Sequence, residues 1–571
     1  MLNPEDMKKI YECRPFKTRN ADEFDINSIL NLFVDPTDGL ISPFDFENTI
    51  IKGKMGTGKT MYLKANYAYY LSILVPYLLN NIKIVLPIYL RFSDLQHITD
   101  PTEIYRSIMI KLAREIVGVY RHLQNAKTLA KLHLGIQNSS FELAKPGTDI
   151  YPIISEIRNM SSEEYTNRTE KAISGEMGIV SDFIKLSAQC ERKNITEIKR
   201  KPNPGIEDII TIYNTLLKPF NCNLLILIDE VGSLNKAFFK ENGDSSMFET
   251  LMNQLRTTEF VRTKIAIYPQ TYSDILPETR YGNPVMLQED IKSERGYINF
   301  ENRTMSLIEK YIKEFANIDC RIEDMFEIRN SDLNLLEQLI NASDGNVRRF
   351  VYILDKAMNR SYQENEGNSK VNLSHVIFAL KDHARELEQL FTESEVDFLN
   401  LLVGTCKARS TYKFRFPNKS IDVLRYVKKS SEYNIINLIE HGSGRKGAVY
   451  AFDYAYSVYK DIPTHYLKSS ERIDKSRSKK TGEWITKITT INQNIIEHSK
   501  IPGKIEGDVD YITADRSGFI IGEDNNKYFF RQEEIIDSDK TKPIHIETRV
   551  RFLPYKIESS SSLFAYYVEI L

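Results

Sequence analysis

Gly53-Lys54-Met55-Gly56-Thr57-Gly58-Lys59-Thr60 fits the phosphate-binding pattern GxxxxGK[ST] at every position. Small residues let successive backbone N–H groups turn inward around phosphate oxygens, and a helix that follows directs its positive end at the same point. Lys59 would then reach the outer phosphates of a nucleotide, and the Thr60 hydroxyl would hold Mg²⁺. The flanks suit the motif. Asn48-Thr49-Ile50-Ile51, rich in β-branched residues, predicts a short strand ending at Lys52, and the apolar spacing over 61–74 predicts a helix. A loop of this kind between a strand and a helix places the chain in the α/β class, around a parallel sheet.

Outward from the loop, residues 82–90 predict a second strand, and 102–120 a helix with Ile104, Ile108, Leu112 and Ile116 on one face. Leu224-Leu225-Ile226-Leu227-Ile228-Asp229-Glu230 is apolar at every position before two acids. Such a run belongs in the middle of a parallel sheet, and the carboxyl end of such a strand is where ligands bind. Asp229 would position Mg²⁺, and Glu230 would polarise the attacking water. The separation of Lys59 from Asp229 exceeds two βαβ crossovers, so residues 123–205, polar and helix-biased, read as a helical insertion. Beyond Glu230, residues 247–257 predict a helix and 263–269 a strand, with Gln270 and Thr271 at its end. Towards the N-terminus, Arg14-Pro15-Phe16 and the apolar stretch Ile29-Leu30-Asn31-Leu32-Phe33-Val34 read as plain packing, or, by the loop's resemblance to P-loop ATPases, in which such segments often fold over the base, as a cover for adenine.

Further on, 332–340 predicts a helix, and Ser343-Asp344-Gly345-Asn346-Val347-Arg348-Arg349-Phe350 leads into another carrying Val351, Ile353, Leu354 and Ala357. The phosphate loop, Leu227-Ile228-Asp229-Glu230 and Gly345-Asn346-Val347-Arg348 together resemble AAA+ ATPases of the origin-recognition/initiator type, over about residues 10–380 without the insertion. The resemblance implies ATP as ligand with Mg²⁺, a core over 1–320 and a helical lid over 321–385. It implies that Arg348 senses the γ-phosphate from the lid, and that Gln270 or Thr271 senses it from the core. It also implies assembly into a homo-oligomer, with an arginine lent by a neighbour, for which Arg280 and Arg256 are candidates.

A chain of 571 residues predicts three or four domains. Hydrophobic residues at 42% and charged residues at 27% are ordinary, and the five cysteines have no metal or redox spacing, so they read as thiols in a reducing compartment. No signal-peptide pattern opens the chain, and the longest apolar run, 67–79, contains Pro76 and is too short to span a bilayer; the expectation is a cytoplasmic protein without a membrane partner. The net charge of −2 hides a surplus over 401–480, where 17 Lys and Arg face 7 Asp and Glu, a pattern that points to a polyanion. Residues 386–470 fit either a winged helix or a helical bundle with a surface hairpin. The winged-helix order is helix 392–402, strand 412–416, helices 421–428 and 433–441, a basic wing carrying Arg445 and Lys446, and strand 448–454. Residues 471–503 read as a basic linker and helix, whose charges would contact phosphates without reading sequence.

Over 504–571, Gly507-Asp508-Val509-Asp510-Tyr511, Gly518-Phe519-Ile520 and Tyr528-Phe529-Phe530-Arg531 are similar to a cold-shock domain, a small OB-fold β-barrel. That resemblance implies a platform on which bases of single-stranded DNA or RNA stack on Tyr511, Phe519 and Phe529, with Arg531 where the family commonly has histidine. One aromatic of the family's pattern is missing. Alternation independently puts Phe529 and Arg531 on one face of a strand and Phe530 on the other. The whole therefore reads as an ATPase that acts on nucleic acid, with duplex DNA a further candidate ligand. An ATP-dependent switch acting on a protein partner, for instance in antiphage defence, is the alternative.

Overall fold

The computed structural model describes residues 2–36, 42–136, 205–239, 246–268, 283–328, 334–409, 411–416, 434–440, 447–463, 488–491, 504–513, 516–532, 535, 543–556 and 563–571. The chain divides into two compact units, Met1–Val376 and Ile377–Leu571.

In the first unit, α1 (Pro4–Cys13) and α2 (Ile26–Leu32) precede β1 (Thr49–Lys52), α3 (Lys59–Ser72), α4 (Leu74–Leu79), β2 (Val85–Arg91) and α5 (Pro101–Ile136). Then come α6 (Ile206–Leu216), β3 (Asn223–Asp229), α7 (Met247–Thr257), β4 (Val261–Ile267) and β5 (Asn283–Met286). The five strands form one sheet in the order β2-β3-β4-β1-β5, and every pair is parallel. The unbroken apolar run of β3 follows from its place inside that sheet. Leu224, Ile226 and Ile228 join a core with α4, α5, α6 and α7, while Leu225 and Leu227, equally buried, point to the opposite face. The loop of 53–58 joins the carboxyl end of β1 to α3, and β3 ends on Asp229, two strands away. Four more helices follow: α8 (Glu294–Ala316), α9 (Ile322–Met325), α10 (Leu335–Ser343) and α11 (Val347–Asn365). The expected insertion begins as the continuation of α5 to Ile136; residues 137–204 lie outside the described residues.

Lys264 breaks the apolar pattern of β4. Its side chain is fully buried, and its Nζ donates to Pro43 O and to Asp45 Oδ1, each at 2.7 Å. Tyr62 of α3 also donates to Pro43 O, and Tyr70 to Phe44 O. The segment before β1 is thus tied to the sheet and to the helix that carries the phosphate loop.

The division between the units falls within α12 (Leu373–Glu388). The second unit continues with α13 (Glu393–Ala408), β6 (Lys413–Arg415), β7 (Ile436–Glu440), β8 (Val449–Phe452), α14 (Tyr454–Tyr459) and β9 (Ile488–Thr490). These strands form a sheet in the order β7-β8-β6-β9. One sequence expectation is corrected here: residues 433–441 read as a helix, but Ile436–Glu440 is a strand paired antiparallel with β8. A short apolar run satisfies both periods, and partner pairing decides between them. The expected helix 421–428 lies outside the described residues. Last come β10 (Ile505–Ile512), β11 (Gly518–Gly522), β12 (Lys527–Phe530), β13 (Arg549–Lys556) and β14 (Leu563–Ile570), a closed barrel in the order β10-β11-β12-β14-β13. Val509, Ile520, Phe530, Val550, Phe552 and Val568 fill it. No described helix is long and apolar enough to cross a membrane.

The Lys264 pair generates a prediction. Asp45→Ala leaves a buried ammonium with one carbonyl, and because Asp45 is itself partly exposed the expected cost is about 2 kcal/mol, below the usual range for breaking a fully buried pair. Adding Lys264→Met should recover most of the loss. Urea unfolding followed by circular dichroism checks both; a double variant no more stable than Asp45→Ala contradicts the account.

Candidate functional site

Two glycines make the loop possible. A Cβ on Gly53 would fall 2.3 Å from Thr57 Oγ1, so the curl leaves no room for a side chain. Gly58 starts α3 at φ +97°, in the left-handed region that side chains disfavour. Lys59, the first residue of α3, is buried; its Nζ donates to Gly53 O and Lys54 O, both at 2.7 Å, and stands 4.1 Å from the centroid of the Tyr268 ring.

Asp229 is buried at the end of β3, and each carboxylate oxygen has a donor: Oδ1 accepts from Glu230 N at 2.8 Å and Oδ2 from Tyr89 Oη at 2.7 Å. Burial, reinforced by the charge of Asp229, pushes the Tyr89 pKa far up, which keeps that hydroxyl a donor. Glu230 turns the chain at φ 54°. Its Oε2 lies 3.6 Å from Nε of Arg91, the residue in register with Asp229 on the neighbouring strand. The other end of Arg91 pairs with Asp22, which also meets Lys64 at 2.6 Å. Burial works against the charge of Asp22, but Lys64 and Arg91 outweigh it and hold its pKa below the ordinary carboxylate value. A chain of alternating charge, Lys64–Asp22–Arg91–Glu230, therefore ends on the acid that follows β3.

Of these groups Asp22, Gly58, Lys59, Asp229, Glu230 and Tyr268 border one cavity of about 1170 Å³, a volume that includes its open mouth. Gly56, Gly58, Lys59, Thr60, Asp229, Glu230, Arg303 and Arg348 make its polar part. Phe24, Leu32, Phe33, Val34, Leu307 and Tyr311 make its apolar part, so the stretch 29–34 borders the cavity as well as packing. The residues fit a nucleotide: cations and a helix N-terminus suit phosphates, apolar side chains suit a base, and the Thr60 hydroxyl with the Asp229 carboxylate is an oxygen donor set suited to Mg²⁺.

Gly345-Asn346-Val347-Arg348 meets the loop directly. Asn346 caps α11 by accepting from Arg349 N at 3.0 Å, and the same side chain donates through Nδ2 to Met55 O at 2.8 Å. Arg348 N donates to Gly56 O at 3.1 Å, and the Arg348 side chain lines the cavity. Gln270, Thr271 and Arg280 lie outside the described residues, whereas Arg256 is exposed in the last turn of α7 and does not border the cavity. Sequence reasoning missed Asp22, Tyr89, Arg91, Tyr268 and Arg303. Tyr89 and Arg91 alternate with buried Leu90 at the carboxyl end of β2, a legible signal; the other three carry none.

In the second unit, register aligns Tyr511 with Phe519, Phe519 with Phe529, and Phe529 with Phe564, across four adjacent strands. Phe519 and Phe529 have centroids 5.4 Å apart, Phe529 and Phe564 5.9 Å, and Tyr511 is 50% exposed. Lys527 Nζ lies 4.9 Å from the Phe519 centroid. The structure thus brings together the three expected aromatics and adds Phe564. Arg531 is exposed and falls one residue past the end of β12. Arg445 and Lys446 lie outside the described residues.

A family model described as ORC-CDC6-like matches residues 14–74, from the end of α1 through the phosphate loop and α3. No curated protein matches the chain. Among solved structures, that of the Aeropyrum pernix ORC2 protein, determined as ADPNP-ADP complexes, matches at 12% identity, with 79% of this chain and 97% of that chain covered and a TM-score of 0.30. A score that low leaves the reading of the site to the chain's own residues.

The double duty of Asn346 can be tested. Asn346→Ala removes a cap and a bond to Met55 O, and should cost about 1–2 kcal/mol. Asn346→Asp retains the cap oxygen and sets an acceptor against the Met55 carbonyl, so it should fall between the two in thermal denaturation. Equal melting temperatures for wild type and both variants would contradict the clamp.

Proposed function

We propose that this chain binds and hydrolyses ATP in the cavity of its first unit, and that nucleotide state controls how its second unit engages nucleic acid. One observation carries the reading: a complete phosphate loop opening α3 and an Asp-Glu pair ending β3 border the same cavity, at the carboxyl edge of a five-stranded parallel sheet. An ORC-CDC6-like segment over the loop supports the AAA+ initiator-type assignment.

In this reading Lys59 and the backbone N–H groups of the loop take the β- and γ-phosphates. Thr60 and Asp229 hold Mg²⁺, which supplies charge neutralisation at the phosphates when bound. Glu230 orients a water and draws its proton, once its carboxylate leaves the Arg91 guanidinium. Arg348, projecting from α11 beside the loop, supplies a second cation to the γ-phosphate, and Gln270 or Thr271 a polar contact from the core. The helices α9 to α11, within 321–385, act as the lid.

For the second unit, the barrel order first-second-third-fifth-fourth, with β12 and β14 parallel, supports an OB-fold of the cold-shock kind. The row Tyr511, Phe519, Phe529 and Phe564 supports stacking of single-strand bases, with Lys527 and Arg531 as phosphate contacts. The hairpin of β7 and β8 supports a winged-helix reading of 386–470, with Arg445 and Lys446 in the connection.

Lys59→Ala should abolish nucleotide binding, whereas Glu230→Gln should bind ATP and fail to hydrolyse it; a wild-type rate in Glu230→Gln would remove that acid from the reaction. In the barrel, Phe519→Ala with Phe529→Ala should weaken single-strand binding by about 1–3 kcal/mol per base stacked, while duplex binding stays unchanged. Fluorescence anisotropy with labelled oligonucleotides separates the two, and single-strand affinity unaffected by both changes returns the barrel to a packing role.

A further inference from the structure

Arg303 stands on α8, outside every motif in the sequence, yet its guanidinium reaches the phosphate loop. Nη2 donates to Thr57 O at 3.2 Å and Nη1 to Leu287 O at 3.3 Å. A methyl group on Gly58 would come within 3.2 Å of Nη2, so the guanidinium lies against the residue from which α3 starts. The side chain borders the same cavity as Lys59 and Thr60.

A guanidinium offers five N–H donors in a planar fork, and two of these are spent on neutral carbonyls. Among the described residues no carboxylate forms an ion pair with Arg303. Burial lowers its pKa from the ordinary arginine value, against the more distant pull of Glu289 and Asp35. A desolvated cation hydrogen-bonded only to carbonyls is costly, and the cavity beside it already gathers two further cations, Lys59 and Arg348, and a helix N-terminus. Phosphate oxygens would give it charge-assisted bonds, roughly twice as strong as bonds to neutral acceptors.

We propose that Arg303 is a phosphate-binding residue of this site, which exchanges the Thr57 carbonyl for the phosphate chain of a nucleoside di- or triphosphate and so ties α8 to occupancy of the loop. The proposal rests on the nucleotide reading of the cavity. The competing account is a brace: Arg303 joins Thr57 and Leu287 and touches no ligand.

The two accounts differ in what phosphate number does. Affinities of the full chain for ADP and AMP, in Mg²⁺ and by competition against a fluorescent ADP, would be compared for wild type, Arg303→Gln and Arg303→Lys, with Lys59→Ala as reference. Arg303→Gln should lose about tenfold for ADP while AMP shifts less than twofold. Arg303→Lys keeps the charge without the fork and should lose part of the ADP affinity, again with AMP nearly unchanged. Where Arg303→Gln fails to fold, the ADP-to-AMP ratio of Arg303→Lys decides alone. An unchanged ratio, whether both affinities fall together or neither moves, leaves Arg303 as a brace and overturns the proposal. A wild type that binds no nucleotide, or Lys59→Ala that binds as wild type, removes the nucleotide reading itself, and the assignment of Arg303 falls with it.

Discussion

A loop that turns its N–H groups inward to cradle phosphate must turn its carbonyl oxygens outward, and those oxygens then need donors of their own. The first unit is arranged around that requirement. The carbonyls of Gly53 and Lys54 take the Lys59 ammonium, that of Met55 the Asn346 amide, that of Gly56 the Arg348 backbone, that of Thr57 the Arg303 guanidinium and that of Gly58 the backbone of Tyr62. The donors come from α3, α8 and α11. Two of them, Lys59 and Arg303, are cations, and their attachment to neutral carbonyls is weaker than a bond to an anion would be. Any ligand that draws those cations away alters the loop and the helices at once, because the same hydrogen bonds define both.

The acidic side of the cavity obeys a second constraint. Asp229 is buried, and both of its oxygens accept a hydrogen bond, one from the chain that follows and one from Tyr89. Glu230 is partly exposed and is held more loosely, at 3.6 Å from an arginine that Asp22 also claims. The difference suits the two roles proposed for the pair. A group that fixes a metal gains from rigidity, and a group that handles a proton must be able to move. Asp22 lies among the residues lining the cavity, in the segment just ahead of α2, so the N-terminal part of the chain is electrostatically continuous with Glu230.

The loop, β1, β3 and the Asp-Glu pair were legible because each is local: eight residues specify the curl, and an unbroken apolar run specifies a central strand. The helix α11 was legible from its own apolar positions Val351, Ile353, Leu354 and Ala357, whereas the cap that Asn346 makes at its start came only with the structure. Arg303 was not, because one of two arginines in a 23-residue amphipathic helix looks like any solvated position until the helix is placed over the loop. Lys264 was read as part of an ordinary strand, although a charge at a buried parity demands a partner; Asp45, more than two hundred residues away in sequence, supplies it. The run before Glu440 was misread because Ile435, Ile436, Leu438 and Ile439 satisfy helical and extended spacing alike, and β8 settles the choice by pairing with it.

In the barrel, alternation makes the inner and outer faces two halves of one decision. Ile520, Tyr528 and Phe530 point inward, so Phe519 and Phe529 must point outward, and register carries the row on to Tyr511 and Phe564. A slip of one residue in β12 would bury Phe529, expose Phe530 and scatter the row. The core is therefore what keeps the outer rings in line, and the family of sequences that preserves this core preserves the row wherever the outward positions stay aromatic. Phe564 shows the force of that constraint. It sits next to Ala565, a buried core position, and joins the row because β14 closes the barrel beside β12. An aromatic surface built this way offers flat faces at a spacing set by the sheet, whatever the loops around it do.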